Sequence, residues 1–311
     1  MMLSILRLLR PGDWIKNIFV LVPLVFWLPG AGRASAVDVA NKGGAAALAF
    51  VAFCLAASGW YAINDALDAK EDRLHVVKRR RPVASGAIRP GVAIAIGIVL
   101  AGASIAVASA AGAGVSWVIG AYLCLQVLYN AGLKRVPFVD VATIASGFCL
   151  RAIGGAVAIS VPVSIWLLLC VFFLTTYLGF IKRTCDLESA ARDSGSTWKQ
   201  RAQYGDPAEL NWLLSVSGGL TVLMYLMYTL SAHANSLFGA RAMGLAILSP
   251  LVLTVVHRFY RRAMAGLSDS PLAALLGDRI VGCASLAFAL GVWGSLYSPA
   301  VEDLLKRLLL V

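Results

Sequence analysis

Apolar stretches recur along this chain of 311 residues, each about 17 to 25 residues long, and they leave room for few kinds of fold. A helix of that length crosses roughly 30 Å of hydrocarbon, the thickness of a bilayer core. Inside lipid each stretch must be helical, because a helix satisfies its own backbone hydrogen bonds. The sequence therefore predicts an all-α integral membrane protein with about nine transmembrane helices, at residues of about 17–37, 44–63, 91–111, 114–130, 138–161, 163–181, 211–231, 241–257 and 280–298.

The composition agrees with this pattern. Hydrophobic residues make up 59% of the chain and charged residues only 14%, with a mean hydropathy of +0.80. A water-soluble protein of this size is far more polar. No polar stretch exceeds roughly 30 residues, so we predict a single polytopic membrane domain over residues 1–311. Residues of about 1–12 are expected to form a short helix in the membrane interface, because Arg7 and Arg10 interrupt their apolar run too early for a signal peptide.

The net charge of +11 raises the question of nucleic-acid binding, and the distribution of the bases argues against it. With nine spans and a cytosolic N-terminus, 21 of the 27 lysines and arginines fall on the cytosolic side. Five fall on the opposite side, and Arg151 lies within a span. This asymmetry is the positive-inside signal of membrane topology. We therefore predict a membrane partner and no nucleic acid.

The most unusual polar stretch is NDALDAKEDRLHVVKRRRPVASG, residues 64–86, which directly follows the second apolar segment. If the helix continues through it at about 100° per residue, one quadrant carries one amide and three carboxylates. Unpaired carboxylates at this spacing repel each other. Mg²⁺ would remove that conflict, since it favours one or two carboxylates with substrate phosphates, whereas the alternative is a solvated acidic helix end. The residues concerned are Asn64, Asp65, Asp68 and Asp72.

Bases follow these acids at once, and Lys78, Arg79 and Arg81 are candidate phosphate ligands. Arginine meets phosphate oxygens through two donors, and lysine supplies a point charge. Some of the bases in this run serve topology alone. Acids that hold a metal beside bases that hold phosphate form the pairing that a diphosphate site needs.

Polar clusters also follow the fourth and sixth apolar segments, on the same predicted side of the membrane. Lys182 and Asp186 are four residues apart and share a helical face. We expect the cytosolic helix ends to surround one mouth. The residues singled out in these two clusters are Tyr129, Lys134, Tyr177, Lys182, Arg183 and Asp186.

Arg151 is a charged residue deep in the fifth segment. It lies about eleven residues after Asp140, or roughly 16 Å along the helix at 1.5 Å per residue. A charge at that depth costs about 2.5 to 3.5 kcal/mol on insertion scales, and it usually faces a protein cavity and has a partner. Two interpretations remain open: a structural ion pair, or contact with an anionic lipid phosphate, in which Lys16 would be an equivalent candidate.

These motifs resemble those of a known family. NDALDAKED fits N-D-x-x-D-x-x-x-D, the first signature of the UbiA superfamily of intramembrane prenyltransferases, and the resemblance covers nearly the whole chain. A narrower resemblance is to bacterial polyprenyl-phosphate (decaprenyl-phosphate) phosphoribosyltransferases, through LLRPGDWIKNIFVLVPLVF, HVVKRRRPVASG and VDVATIASGFCLRAIGGAVAI. YLGFIKRTCDL resembles their second motif, K-R-x-x-E-L, with Asp186 where Glu is usual. The second D-x-x-x-D of aromatic prenyltransferases is missing, which favours the sugar-phosphate group.

The resemblance implies a nine-helix fold around a central cavity, in the cell's inner (plasma) membrane, with the active site facing the cytoplasm. It implies Mg²⁺-dependent transfer of 5-phosphoribosyl from 5-phosphoribosyl 1-diphosphate to a polyprenyl phosphate. The metal ligands would be Asn64, Asp65, Asp68, Asp72 and Asp186, of which Asp65, Asp68 and Asp72 are the catalytic acids.

Two other functions compete with this one. A prenyltransferase would move an isoprenoid from its diphosphate to an aromatic or tetrapyrrole acceptor, using the same metal–diphosphate site. A transporter is disfavoured, because transporters usually place their polar groups near the bilayer midplane, and here these groups gather at helix ends.

Overall fold

The structure is a computed structural model, and it describes residues 2–28, 35–74, 78–192, 204, 206–267 and 271–309. Across these residues all regular structure is helical, which confirms the predicted all-α fold. Three short stretches are 3-10 helices, at Pro11–Val20, Lys78–Arg80 and Leu133–Arg135. In chain order the α-helices are α1 (Met2–Leu9), α2 (Val22–Trp27), α3 (Ala36–Leu67), α4 (Ala69–Arg73), α5 (Pro90–Ala111), α6 (Ala113–Ala131), α7 (Val139–Ala158), α8 (Ile165–Arg192), α9 (Pro207–Thr229), α10 (Ala232–Phe238), α11 (Arg241–Ile247), α12 (Ser249–Met264), α13 (Pro271–Gly277), α14 (Arg279–Tyr297) and α15 (Pro299–Leu309).

Eight helical stretches of the described chain are long and apolar enough to cross a membrane. They coincide with the second to ninth apolar segments of the sequence. The seventh of them combines α11 and α12 into one stretch, Arg241–Met264. The eight are α3, α5, α6, α7, the part Ile165–Leu187 of α8, α9, α11 with α12, and α14.

The first apolar segment, predicted at about 17–37, has a different local structure where it is described. A 3-10 helix runs over Pro11–Val20, and the chain changes to α-helical geometry at α2. Pro23 stands near the start of α2, where a missing N–H costs nothing, because the first helical N–H groups have no intrahelical partner. Proline in mid-helix would break the hydrogen-bond ladder, so this segment is built from short helices. Residues 29–34 of the prediction lie outside the described residues.

The chain divides into two compact units. The first contains α1 to α6 and the part of α7 from Gly147 onward. Within it α3 packs closely along α5 through Gly59 and Gly97. A Cβ built on Gly59 would lie 2.8 Å from the Gly97 carbonyl oxygen, so only glycine allows this approach of the two backbones.

The second unit contains the part of α7 up to Ser146, together with α8 to α15. Its apolar core forms where α8, α9 and α12 pack on each other, around Phe180, Leu214 and Phe259. Asp278 caps the N-terminus of α14 by accepting from two backbone N–H groups. A hydrogen bond from Arg258 holds the pKa of Asp278 below its usual range, which keeps the cap ionised. The predicted single domain over 1–311 and the interfacial position of α1 stay predictions.

The charge asymmetry of the sequence makes a testable statement about topology. We expect the N-terminus in the cytosol and the C-terminus on the opposite side, because the sequence predicts nine crossings between the basic N-terminal segment and the end of the chain. Reporter fusions at the two ends, active only in one compartment, should give opposite results. Both ends on one side would contradict an odd number of spans.

Candidate active site

The three acids of the sequence motif lie at the end of α3 and in α4. The helix bends at Asp68, whose φ and ψ are −85° and 1°, so the uninterrupted helix assumed from the sequence is wrong at this residue. The hydrogen-bond ladder nevertheless passes the bend: Asp68 N–H donates to Asn64 O, and Asp72 N–H to Asp68 O, both at 2.9 Å. Asp65, Asp68 and Asp72 are only 1%, 5% and 2% exposed. The alternative of a solvated acidic helix end is therefore wrong.

Two arginines hold two of these carboxylates. Arg10 Nη2 lies 2.5 Å from Asp65 Oδ1. Arg81 Nη1 lies 3.2 Å from the same oxygen and 2.7 Å from Asp72 Oδ2. Arg81 was predicted to bind phosphate, whereas Arg10 was assigned only to an interfacial helix. The side chains of both arginines are partly exposed.

Lys134 holds the third carboxylate. It lies in the 3-10 helix Leu133–Arg135 after α6, with Nζ 3.1 Å from Asp68 Oδ1 and 3.0 Å from Asn130 Oδ1. The structure thus brings together the polar clusters that follow the second and fourth apolar segments. Three bases face three acids in the first unit, and their formal charges cancel. We name these six side chains the acid–base cluster: Arg10, Asp65, Asp68, Asp72, Arg81 and Lys134.

One oxygen of the acid–base cluster fits a metal. Asp65 Oδ2 is buried and has no hydrogen-bond partner among the described residues. A bare buried carboxylate oxygen is costly, and a divalent cation is a chemically suitable partner for it. No group of three or more His, Cys, Asp and Glu side chains in the described chain is arranged to hold a metal. Because Mg²⁺ often uses one or two carboxylates with substrate phosphates, this donor set fits a metal that is bound together with a diphosphate.

The other predicted site residues of the first unit differ in exposure. Arg79 is exposed on its 3-10 helix. Lys16 is also exposed, and its ion-pair partner is Asp13 at 2.5 Å rather than a motif carboxylate. Their roles in substrate binding stay predictions, as do those of the half-buried Asn64, Lys78 and Tyr129.

Arg151 is buried among neutral partners. Its Nε donates to Asn17 Oδ1 at 2.7 Å, its Nη1 to Gly147 O at 2.9 Å, and its Nη2 to Tyr122 OH at 3.0 Å. The rings of Tyr122 and Phe148 lie 4.7 and 5.2 Å from the guanidinium carbon. No carboxylate of the described residues lies within ion-pair distance, so the structural ion pair considered from the sequence is wrong. Contact with a lipid phosphate stays a prediction.

A second cluster lies in the second unit, where α7 begins and α8 ends. Asp140, which is fully buried, accepts from Arg183 Nε at 2.8 Å and from Tyr204 OH at 2.7 Å. Arg183 Nη1 also donates to Asp186 at 3.3 Å. Arg183 therefore bridges two carboxylates, and one of them is the predicted metal ligand Asp186. Asp140 lay in a polar stretch of the sequence but was not chosen as a site residue.

Tyr204 contacts the backbone at the start of α7 in addition to the side chain of Asp140. Its hydroxyl accepts from the Phe138 N–H at 2.8 Å. Phe138 has φ of 66°, a left-handed conformation rare for a bulky residue, so this hydrogen bond stabilises a strained backbone. Burial raises the pKa of Tyr204, which keeps its hydroxyl protonated and able to donate to Asp140.

Two further predicted residues of α8 lie in contrasting surroundings. Tyr177 is 1% exposed, and its hydroxyl donates to the Val256 carbonyl at 2.7 Å, a contact typical of a packing residue. Lys182 is exposed. Substrate binding by either residue stays a prediction.

The comparison with family models decides the classification. The model of the UbiA prenyltransferase family matches residues 21–264. The chain belongs to the UbiA prenyltransferase family. This UbiA protein is a transferase enzyme, and its long apolar helices make it a multi-pass membrane protein. Arg10 lies before the matched residues.

Two relatives of known name are similar to this chain over most of its length. The UbiA chain is 30% identical over 298 residues to a decaprenyl-phosphate phosphoribosyltransferase from Mycolicibacterium smegmatis, covering 94% of this chain and 92% of the relative. A protein of the same name from Corynebacterium glutamicum is also 30% identical, with 94% and 87% covered.

Solved structures confirm the UbiA fold. A UbiA homolog from Archaeoglobus fulgidus, bound to GPP and Mg²⁺, superposes with a TM-score of 0.67 at 19% identity, covering 94% of this chain and 99% of the other. At that identity the likeness concerns the fold.

Proposed function

We propose that this UbiA transferase moves a 5-phosphoribosyl group from 5-phosphoribosyl 1-diphosphate to a polyprenyl phosphate of the decaprenyl type, with release of diphosphate. The acid–base cluster carries the proposal, because it offers carboxylates for a metal and cations for phosphate within one set of contacts. The names of the relatives at 30% identity support the choice of donor and acceptor. The reaction would take place at the cytoplasmic face of the inner membrane, where the topology prediction puts the cluster.

In this proposal the residues of the site act by charge and position. Asp65 would hold Mg²⁺ through its unpartnered Oδ2, with Asp68 and Asp72 adding negative charge within the acid–base cluster, and the bound ion would supply Lewis-acid neutralisation of the leaving diphosphate. Arg81 and Lys134 would bind those oxygens of the diphosphate that do not contact the metal. As the bond from the ribose C1 to the diphosphate oxygen breaks, an oxygen of the lipid phosphate forms the new bond to C1. That nucleophile is already an anion, so no strong general base is needed, and catalysis is mainly positioning and electrostatics.

A second candidate is transfer of an isoprenoid from its diphosphate to an aromatic or tetrapyrrole acceptor. The Archaeoglobus fulgidus homolog favours it, since that protein is bound to GPP and Mg²⁺ and GPP is an isoprenyl diphosphate. Both functions use a metal and a diphosphate, so the acid–base cluster is consistent with each. They differ in which substrate carries the lipid.

The test uses the purified full chain in lipid nanodiscs. With 5-phosphoribosyl 1-diphosphate labelled in the ribose, we expect a labelled lipid and released diphosphate only when decaprenyl phosphate and Mg²⁺ are both present. Geranyl diphosphate with aromatic or tetrapyrrole acceptors forms the parallel arm. Turnover in that arm alone would establish the second candidate and refute the first.

A further inference from the structure

The N-terminal segment of the first unit is fixed to α3 at several points. Leu8 is fully buried in a cluster with residues of α3, α4 and α5. Trp14 Nε1 donates to Ser58 Oγ at 2.9 Å, and Ser58 Oγ donates to the Leu9 carbonyl at 2.8 Å. These contacts lie on both sides of Arg10. The segment is thus packed on the helix that carries the acidic motif, beyond the interfacial role expected from its sequence.

Arg10 has a conformation that this packing imposes. Its φ and ψ are 50° and 59°, in the left-handed region that residues other than glycine rarely adopt. Its guanidinium carbon lies 5.0 Å from the centre of the Tyr61 ring, and Nη2 reaches Asp65. Strained backbone of this kind persists where surrounding contacts fix it, and it is concentrated at functional sites. In this strained conformation the guanidinium group of Arg10 contacts the carboxylate of Asp65.

Arg10 and Arg81 both bind Oδ1 of Asp65, and Oδ2 has no hydrogen-bond partner among the described residues. The six side chains of the acid–base cluster carry three positive and three negative formal charges. A divalent cation alone would leave two uncompensated positive charges in a largely buried cluster, and an unpaired buried charge is costly at low dielectric. A cation bound to diphosphate brings its own negative charge. The charge balance therefore favours entry of metal and diphosphate together.

We propose that Arg10 is a substrate-binding residue that exchanges partners during the reaction cycle. It neutralises Asp65 while no diphosphate is bound, and it binds diphosphate oxygens when a metal–diphosphate complex contacts Asp65. Arg10 thereby couples metal binding to diphosphate binding. This inference rests on the proposed metal–diphosphate site, but it holds for either donor.

The coupling is measurable without turnover. Equilibrium dialysis measures the Mn²⁺ that the purified full chain binds. Inorganic diphosphate is either absent or present at the same concentration on both sides of the dialysis membrane. In the wild type we expect diphosphate to tighten Mn²⁺ binding about tenfold or more. Arg10→Gln should bind Mn²⁺ alone several times more tightly, because a repelling cation is gone, and should lose most of the gain from diphosphate. Arg10→Lys should keep part of the gain, since it keeps the charge.

Arg7→Gln is the matched control, because Arg7 is exposed one turn earlier in α1, and it should behave like the wild type. Thermal unfolding checks that each variant is folded. If Arg10→Gln weakens Mn²⁺ binding equally with and without diphosphate, Arg10 only positions Asp65 and the exchange is refuted. Unchanged coupling in a folded Arg10→Gln also refutes it, while the metal–diphosphate site stands. No Mn²⁺ binding by the wild type, even with diphosphate, overturns the proposed site itself.

Discussion

An Asp72→Asn variant is expected to lose turnover by about 10²- to 10³-fold while the protein still inserts and purifies. Asp72 is 2% exposed and accepts from Arg81 at 2.7 Å. Asparagine keeps the size of the side chain and an oxygen that can accept from Arg81, but it removes the negative charge that a metal needs. Asp68→Asn should behave alike, through Lys134. Diphosphate release at saturating substrate concentrations measures the effect.

Glu71→Gln provides the matched control for this experiment. Glu71 is the neighbour of Asp72 on α4, and it is exposed. Its loss of charge equals that of Asp72→Asn, so a general effect of charge on the protein would appear in both variants. We expect wild-type turnover in Glu71→Gln, and EDTA should abolish turnover in the wild type. Full activity in Asp68→Asn or Asp72→Asn would show that the substituted acid has no catalytic role.

The parts of the structure that the sequence predicted depend on local rules. A long apolar segment in lipid has one backbone solution, so eight helices agree with their predicted segments. The acidic motif depends on helical periodicity over eight residues. The backbone ladder of hydrogen bonds from i to i−4 continues through the bend at Asp68, so this part of the prediction agrees with the structure.

Contacts between distant parts of the chain escaped the sequence analysis. Arg10 and Asp65 are 55 residues apart, and Tyr204 and Asp140 are 64 apart. Helical periodicity pairs residues three or four positions apart and contains no information at such separations. The left-handed conformation at Arg10 arises from packing, which no local propensity indicates. Arg10 belongs to the N-terminal motif LLRPGDWIKN, but nothing in the sequence indicates that it pairs with an acid.

The bases illustrate a second limit of sequence analysis. The positive-inside rule counts lysines and arginines without asking what each one contacts. Lys134 fits that count, and it also lies 3.1 Å from Asp68 in a largely buried position. Arg79 fits the same count and is exposed. A base that sets topology can therefore also serve a binding site, and only the fold distinguishes the two cases.

The second large effect is expected at Arg183. If Arg183 binds the phosphoribosyl donor, Arg183→Ala should weaken donor use by roughly 2 to 4 kcal/mol, the range for truncating one member of a desolvated charge pair. The side chain of Arg183 is 14% exposed and bridges Asp140 and Asp186. Lys182 is its matched neighbour with the same charge, but it is exposed. Lys182→Ala should therefore cost only about 0.2 to 1 kcal/mol.

The kinetic constants separate donor binding from a loss of structure. We expect Arg183→Ala to raise KM for 5-phosphoribosyl 1-diphosphate and to leave KM for decaprenyl phosphate near its wild-type value. Arg183→Lys keeps a charge beside Asp140 and should restore part of the donor affinity, although it loses the two-donor fork. Removing Arg183 also leaves Asp140, which is fully buried, with the Tyr204 hydroxyl as its remaining hydrogen-bond donor among the contacts described above. Tyr204→Phe perturbs the same carboxylate without changing a charge, so an equal rise in the donor KM of Tyr204→Phe and Arg183→Ala would mean that Arg183 acts by holding α7 and not by binding the donor.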